Sequence, residues 1–570
     1  MDVLLINPPE QVPVRPILYP PVMPRGLLIT SAVLKRAGFK VKILDLRCLN
    51  LNASTISDIC KQYEPEFVGI SIHGVPFLKP AISCITESKR IWPNSKILIG
   101  GFLAKTAKND LERYLPKDVI IHDGDADVDS KKLLSSMGVS IAGQKGINKE
   151  ISQDKNRFDV PKIDLNDLLT LGFSNPWKPY LTQDFELYTE TQRGCPYGCR
   201  YCGTFPRGAK NVLFRHPEDV IEEMKNHLLS MRQVNIDTPR YWITDETFTL
   251  NRNHTIEICR LFRKELPGIR WRAQTRADCV DPEILAVMKK SGCYELSFGI
   301  ESLSDEVLKR VSKGSNSNQG ITAMTMAREA GLKVRAILIV GLPGDSNSSM
   351  LRTFELLSKF DPDSCQIYIY HPVPGSPEVL SQSSKNGANN LFENGFSHMG
   401  FHEAPDMAVG DMSREDIIRW YIAGNSYFKT KLNPLGDHKQ LSKVIINHGI
   451  NTLKKNPVIK ELSLKDVTKN SNVEKGNWYP RLKSGVVYVE TSGGGLLCDS
   501  GEPNEEVKDD LLRRTYEVGT NMYELLSYCY GEFNVDEIIS YVQNSNNSMS
   551  YKTEDVVSDL TDLRNKDLVY

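Results

Sequence analysis

Two stretches of this chain alternate short apolar runs with amphipathic segments, and that alternation narrows the fold more than any other property. In residues 1–150 the runs are DVLLINP, VKILD, FVGISI, KILIGG and DVIIHDG, each closed by turn-forming residues. Unbroken apolar runs of this kind suit strands buried on both faces, and hence a parallel sheet. Between them, GLLITSAVLKRAG and PAISCITESKRIW have helical periodicity, with Gly38 stopping the first. The pattern predicts an α/β unit with a doubly wound sheet, whose ligand crevice lies beyond the strand C-termini.

A polar linker around 144–180 precedes a second alternation. LYTET (187–191), YWIT (241–244), WRAQT (271–275), ELSFGI (295–300), VRAILIV (334–340) and CQIYIY (365–370) are strand candidates separated by helical segments. Six βα units predict a partial or closed parallel barrel, with its chemistry on the loops that follow the strands. Those loops carry, in order, a cysteine triplet, Asp245 with Glu246, Arg276 with Asp278, Glu301 with Ser302, GLPG (341–344) and PVPGSP (372–377). Residues 381–476 read as a helical extension and linker. From 477 to 570 the style changes to a hairpin, VVYVETSGGGLLCDS, followed by helical segments, which predicts a small α+β unit.

The triplet is Cys195, Cys199 and Cys202, spaced C-x3-C-x2-C and flanked by glycines 194, 198 and 203. The nine other cysteines are dispersed singly. A structural zinc site prefers four protein ligands, and no fourth lies nearby. A four-iron cluster held by three thiolates leaves one iron open to a small molecule. With a net charge of -1, bulk electrostatic attraction to nucleic acid or to an anionic membrane is not expected. The first apolar run is too short for a signal peptide or a membrane span, so a reducing, cytoplasmic setting is expected.

With Tyr201 ahead of its third cysteine, the triplet resembles the signature of radical S-adenosylmethionine enzymes over about residues 180–380. The resemblance implies a (β/α)6 partial barrel and a 4Fe–4S cluster on Cys195, Cys199 and Cys202. The unique iron would hold S-adenosylmethionine, whose reductive cleavage yields a hydrogen-abstracting radical. By the same resemblance, Tyr201, Asp245, Glu246, Arg276, Glu301, Ser302 and Gly341 are candidate contacts of S-adenosylmethionine.

Residues 1–150 resemble the Rossmann-like cobalamin-binding domain that precedes many such barrels, with Ser71, Gly100 and Gly101 as candidate cobalamin contacts. The D-x-H-x-x-G motif that ligates cobalt is missing, and Gly124-Asp125-Ala126-Asp127 stands where G-E-G-E is usual. Residue His73 would face the cofactor or be structural. The segment 477–570 resembles the winged-helix-like leader-recognition domain, similar to the PQQ-synthesis chaperone, of ribosomal peptide maturases. Such modules bind a leader by adding a strand to an exposed hairpin edge.

Together the resemblances imply cobalamin-dependent C-methylation of a ribosomal precursor peptide at an unactivated carbon. The partners would be that peptide and an electron donor such as flavodoxin or ferredoxin, with neither nucleic acid nor membrane. Radical peptide epimerisation, with Cys365 returning the hydrogen and no working cobalamin domain, is the alternative. A third reading is a redox-sensing scaffold.

Overall fold

A computed structural model of the chain describes residues 2–9, 22–48, 51–139, 157–169, 180, 186–204, 212–232, 240–379, 412–430, 459–461, 486–491, 494–499 and 515–519, with 558, 560 and 561. The first unit contains β1 (Val3–Asn7), α1 (Arg25–Arg36), β2 (Val41–Asp45), α2 (Thr55–Cys60), β3 (Phe67–Ser71) and α3 (Leu78–Ile91). It continues through β4 (Lys96–Gly100), α4 (Phe102–Thr106), α5 (Lys108–Tyr114), β5 (Ile120–Ile121) and α6 (Ser130–Ser136). All five strands are parallel, in the order β2-β1-β3-β4-β5.

Strand residues point alternately to the two faces. Val3 and Leu5 accordingly join Leu27, Leu28 and Leu34 of α1 in one core. Leu4 and Ile6 join Leu78, Ala81 and Ile85 of α3 in the other. Covering both faces is what makes the apolar runs unbroken, as the sequence predicts. The strand order reverses between β1 and β3, which fixes the crevice above that point.

The second unit holds β6 (Glu186–Thr189), β7 (Gln192–Arg193), β8 (Leu213–Phe214), α7 (Pro217–Arg232), β9 (Arg240–Ile243), α8 (Arg252–Glu265) and β10 (Arg270–Thr275). There follow α9 (Pro282–Lys290), β11 (Cys293–Glu301), α10 (Asp305–Arg310), α11 (Ser317–Glu329), β12 (Lys333–Val340), α12 (Asn347–Phe360) and β13 (Ser364–Ile369). Its six parallel strands lie in the order β13-β12-β11-β10-β9-β6, the sequential order of a partial barrel. Each of the six predicted strands is present. Helix starts follow local chemistry: Asn251, Asp281, Asn316 and Ser346 each accept a backbone N–H of the helix they open.

The barrel body reaches past residue 380. Helix α13 (Arg414–Tyr427) packs on β13 and α12, where Trp420 Nε1 donates to Asn347 Oδ1 at 2.7 Å. The N–H of Cys365 donates to the carbonyl of Lys429 at 2.7 Å. Part of the stretch read as extension and linker is thus barrel core, because a parallel sheet needs its faces covered.

In the C-terminal segment, β14 (Ile459–Glu461), β15 (Val486–Thr491), β16 (Gly494–Asp499) and β17 (Thr515–Gly519) form a sheet in the order β14-β17-β16-β15. β15 and β16 are the antiparallel hairpin expected from the sequence. The helical segments expected after 520 lie outside the described residues, apart from 558, 560 and 561. Among the described residues no helix is long and apolar enough to cross a membrane.

Candidate functional site

The cysteine loop leaves the C-terminal end of β6 and is anchored by buried polar bonds. Asp245, following β9, is buried and accepts from the Thr191 N–H (2.7 Å), the Thr191 hydroxyl (2.5 Å) and the Gln192 N–H (3.3 Å). Burial pushes its carboxyl up to about 7 despite those donors. Glu246 accepts the Gly194 N–H at 3.0 Å, and the Gln192 amide donates to the Thr247 carbonyl. On the far side, Arg200 pairs with Glu378 at 2.7 Å, and its N–H donates to the Val311 carbonyl.

Each of the three sulfurs has a polar neighbour. Cys195 Sγ lies 3.7 Å from Thr247 Oγ1, Cys199 Sγ accepts from Arg276 Nη1 at 3.5 Å, and Cys202 Sγ accepts from the Thr204 N–H at 3.4 Å. Among the described residues no group of three His, Cys, Asp or Glu side chains converges on one metal ion. A cubane takes each thiolate on a different iron, so the loop fits a cluster without that convergence. Burial pushes the Cys199 thiol up, while Lys313 and Arg276 pull it back. Further positive charge, as bound iron provides, would complete the thiolate.

Arg276 is the hinge of this side. Its guanidinium pairs with Asp278 at 2.8 Å, donates to the Lys313 carbonyl at 2.6 Å and lies 3.6 Å from the Tyr197 ring centroid. Glu301 closes β11 at a register shift with φ of 63°, unusual for a side chain with a Cβ. Lys313, buried, donates to Glu301 Oε1 at 3.0 Å and to the Tyr201 hydroxyl at 3.1 Å. A Cβ on Gly299 would stand 2.8 Å from Glu301 Oε1, so the glycine of FGIE makes room for that carboxylate.

Four sequence-predicted residues are not brought to the thiols. Asp245 lies beneath the root of the loop. The Ser302 hydroxyl meets Thr353 Oγ1 at 3.2 Å, tying β11 to α12. Gly341 has φ of 81°, and a Cβ there would meet Ile417 of α13 at 3.0 Å, a reason for glycine independent of any ligand. Cys365 is the second residue of β13, at the end of the sheet away from the cysteine loop, and burial pushes its thiol far up. A hydrogen donor must meet the reacting carbon, and this thiol is at the wrong end of its strand.

Between the two units lies a cavity of about 430 Å³. Ser71, His73, Gly100, Gly101 and His122 line it from the first sheet, and Glu190, Arg193, Thr244 and Glu246 from the barrel. The glycines fit a cradle: a Cβ on Gly100 would meet nothing within 4 Å, whereas one on Gly101, at φ of 100°, would strike the Ile72 carbonyl at 2.8 Å. His73 Nε2 meets Asn7 Oδ1 at 3.2 Å, and its ring packs edge-on against Phe77.

The two units are bolted together beside this cavity. Arg193 grips Asp127 of the GDAD turn through two bonds of 2.9 and 3.0 Å and pairs with Glu190 at 2.7 Å. Arg25 of α1 meets Glu223 of α7 at 2.6 Å, and Arg215 meets the same carboxylate at 2.9 Å. Those two cations hold the buried Glu223 carboxyl well below the ordinary range.

Lys313, Thr247 and Arg193 escaped the sequence reading. Lys313 stands beyond the helical periodicity of α10, between Ser312 and Gly314, both with positive φ. That turn folds the lysine back into the core, and nothing in the local sequence pattern marks it.

The family description for the radical SAM superfamily matches residues 189–357, and that for the B12 binding domain matches residues 18–129. The chain is 27% identical to an uncharacterized methyltransferase of Pyrococcus horikoshii, over 66% of this chain and 82% of that one. It is 25% identical to cytidylyl-2-hydroxyethylphosphonate methyltransferase of Streptomyces wedmorensis, over 68% and 82%. Its fold is similar to that of TsrM, a radical S-adenosylmethionine methyltransferase of Kitasatospora setae, with a TM-score of 0.53 and 18% identity, covering 68% of this chain and 75% of that one.

Residues 18–129 thus match a B12-binding domain, and residues 189–357 a radical SAM domain. The second domain implies a 4Fe–4S cluster and S-adenosylmethionine, and the first implies cobalamin, the cofactor set expected from the sequence.

Proposed function

We propose that this protein is a cobalamin-dependent radical S-adenosylmethionine methyltransferase acting on an unactivated carbon of a ribosomally made peptide. The carrying observation is the shared cavity: the strand ends that would cradle cobalamin and the carboxylate that holds the cysteine loop open onto the same space. Two relatives named as methyltransferases support methyl transfer, and the structure of TsrM holds cobalamin and a 4Fe–4S cluster on a similar fold. Bound together, the three groups supply a transferable methyl and a radical able to open a C–H bond.

The protein's own part is to position and to exclude water. Cys195, Cys199 and Cys202 would hold the cluster. Tyr201, Glu246, Arg276 and Glu301 stand around it as candidate contacts of S-adenosylmethionine: two carboxylates for an ammonium, a guanidinium for a carboxylate. Lys313 keeps Glu301 oriented and joins that group. Ser71, Gly100 and Gly101 would give cobalamin a close approach to backbone. The antiparallel hairpin β15–β16 supports a leader-docking edge, which raises the local concentration of the peptide segment to be modified. A flavodoxin- or ferredoxin-like protein would deliver electrons from the cytoplasm.

The test is anaerobic reconstitution with iron, sulfide and hydroxocobalamin, then incubation with S-adenosylmethionine, reductant and candidate precursor peptides in deuterium oxide. Peptide heavier by one methylene, with 5'-deoxyadenosine and S-adenosylhomocysteine as co-products, is the expected result, and Cys199→Ala should abolish it. Peptide heavier by one deuterium and no methylene would replace methyl transfer with epimerisation. Intact S-adenosylmethionine under these conditions would overturn the radical assignment itself.

A further inference from the structure

His122 directly follows β5 and lines the cavity between the two units. It is about 95% buried, at 5% exposure, and neither ring nitrogen has a hydrogen-bond partner among the described residues. Buried polar atoms are nearly always paired, and an imidazole left with both nitrogens bare is a rare exception that asks for a cause. Its backbone is not adrift: the His122 N–H donates to the Ile99 carbonyl at 2.8 Å, which fixes β5 against β4.

The charged groups around the ring are engaged with one another. Asp123 pairs with Lys132 at 2.5 Å and with Lys108 at 3.4 Å, and Asp125 pairs with Lys105 at 2.9 Å. Asp129 accepts the Asp125 N–H at 2.8 Å. Burial, the largest influence, and Lys132 lower the imidazole pKa, against the pull of Asp129, Asp123 and Asp125. The ring therefore stays neutral at pH 7 and offers one N–H donor and one bare nitrogen acceptor.

Placement in the sheet narrows what those atoms would meet. The switch point lies between β1 and β3, and β5 is two strands beyond β3. At the usual spacing of neighbouring strands, His122 stands about 12 Å to the flank of that point. The chemistry suited to a neutral donor-acceptor pair on the flank is a neutral polar group, such as the primary amides that cobalamin carries around its rim or the secondary amide in the linker to its nucleotide.

We propose that His122 is a cobalamin-binding residue, reserved to hydrogen-bond the polar periphery of the cofactor and not to ligate its cobalt. The proposal rests on the cobalamin assignment of the first domain and adds to it a specific contact outside the missing D-x-H-x-x-G motif.

The experiment is equilibrium binding of hydroxocobalamin, and separately of cobinamide, which lacks the nucleotide, to the full-length cluster-loaded protein, followed by tryptophan fluorescence. His122→Phe should weaken hydroxocobalamin by about tenfold or more, and His122→Gln, which keeps a donor and an acceptor, should recover most of the loss. An equal loss for cobinamide assigns the contact to the corrin rim, and a loss confined to hydroxocobalamin assigns it to the nucleotide side. Unchanged affinity in His122→Phe, with iron content and thermal unfolding like the parent, would overturn the proposal. So would a histidine nitrogen coupling to cobalt(II) in the electron paramagnetic resonance spectrum that is lost in His122→Phe. Failure of the parent protein to bind either corrinoid would instead remove the cobalamin reading, and this contact with it.

Discussion

Lys313 is the residue on which the thiol side of the barrel turns. It is buried, faces the Glu301 carboxylate at 3.0 Å, touches the Tyr201 hydroxyl, and lends its carbonyl to Arg276. Removing one partner of a buried ion pair strands the other charge in a low-dielectric site. Lys313→Ala should therefore destabilise the cluster-free protein by about 3–5 kcal/mol. Tyr201→Phe removes one hydroxyl and should cost about 1 kcal/mol. Both are read from urea unfolding followed by fluorescence, and equal effects would show that the Lys313–Glu301 pair does not hold this corner. The sequence made Glu301 visible because FGIES ends an apolar run. It hid Lys313, because a lysine in a polar turn has no periodicity to betray that the turn folds inward.

Among the elements, α13 and the cysteine loop show opposite ways of being legible. The loop announces itself through three thiols at fixed spacing, a chemical pattern that needs no knowledge of packing. Its anchoring is a tertiary matter: Gly203 sits where a Cβ would lie 2.8 Å from Phe102 and 2.9 Å from Val373, so the loop is wedged between the two units. Helix α13 is legible as a helix from Ser413 and Asp416, and the Ser413 hydroxyl does accept the Asp416 N–H. Its role as a barrel wall was not, since the residues it covers lie far away in the chain. Gly424 shows how close the contact is: a Cβ there would come within 2.7 Å of Ile367 and 2.8 Å of Phe354. Gly424→Val should lower stability by about 1–3 kcal/mol through overpacking, although valine favours helix over glycine. Thermal unfolding at or above the parent's midpoint would refute this account of the α13 contact.

For the whole molecule, the first sheet and the barrel act as one body in the structure. The core beneath α1 is continuous with the barrel core through Leu165, Leu168, Tyr180 and Leu187. The ion pairs of Arg193 with Asp127 and of Arg25 with Glu223 lie across the same seam. Truncation separates the contributions. A chain ending at residue 380 loses α13, bares the Ile367 face and leaves the Cys365 N–H without its acceptor. It should aggregate or fail to retain iron after reconstitution. A chain ending at residue 430 keeps every contact described for α13, and should retain the cluster, bind hydroxocobalamin and cleave S-adenosylmethionine while losing affinity for a precursor leader. Iron analysis and gel filtration of the two truncations decide the point. Equal behaviour of the two would show that α13 is dispensable.

The sequence by itself determined the two parallel sheets, the strands that build them, the cysteine triplet and the expected cofactors. Each of these is written in local pattern: apolar runs covered on both faces, helical periodicity between them, thiols at a spacing that one loop can present. Tertiary structure alone decided which polar residues meet. It set Asp245 and Ser302 to structural bonds, placed Cys365 at the far end of its strand, buried Lys313 against Glu301, and left His122 bare beside the cavity. Local pattern records what one element needs in order to fold, whereas a site is assembled where the ends of many elements converge. The distances between those ends are set by packing.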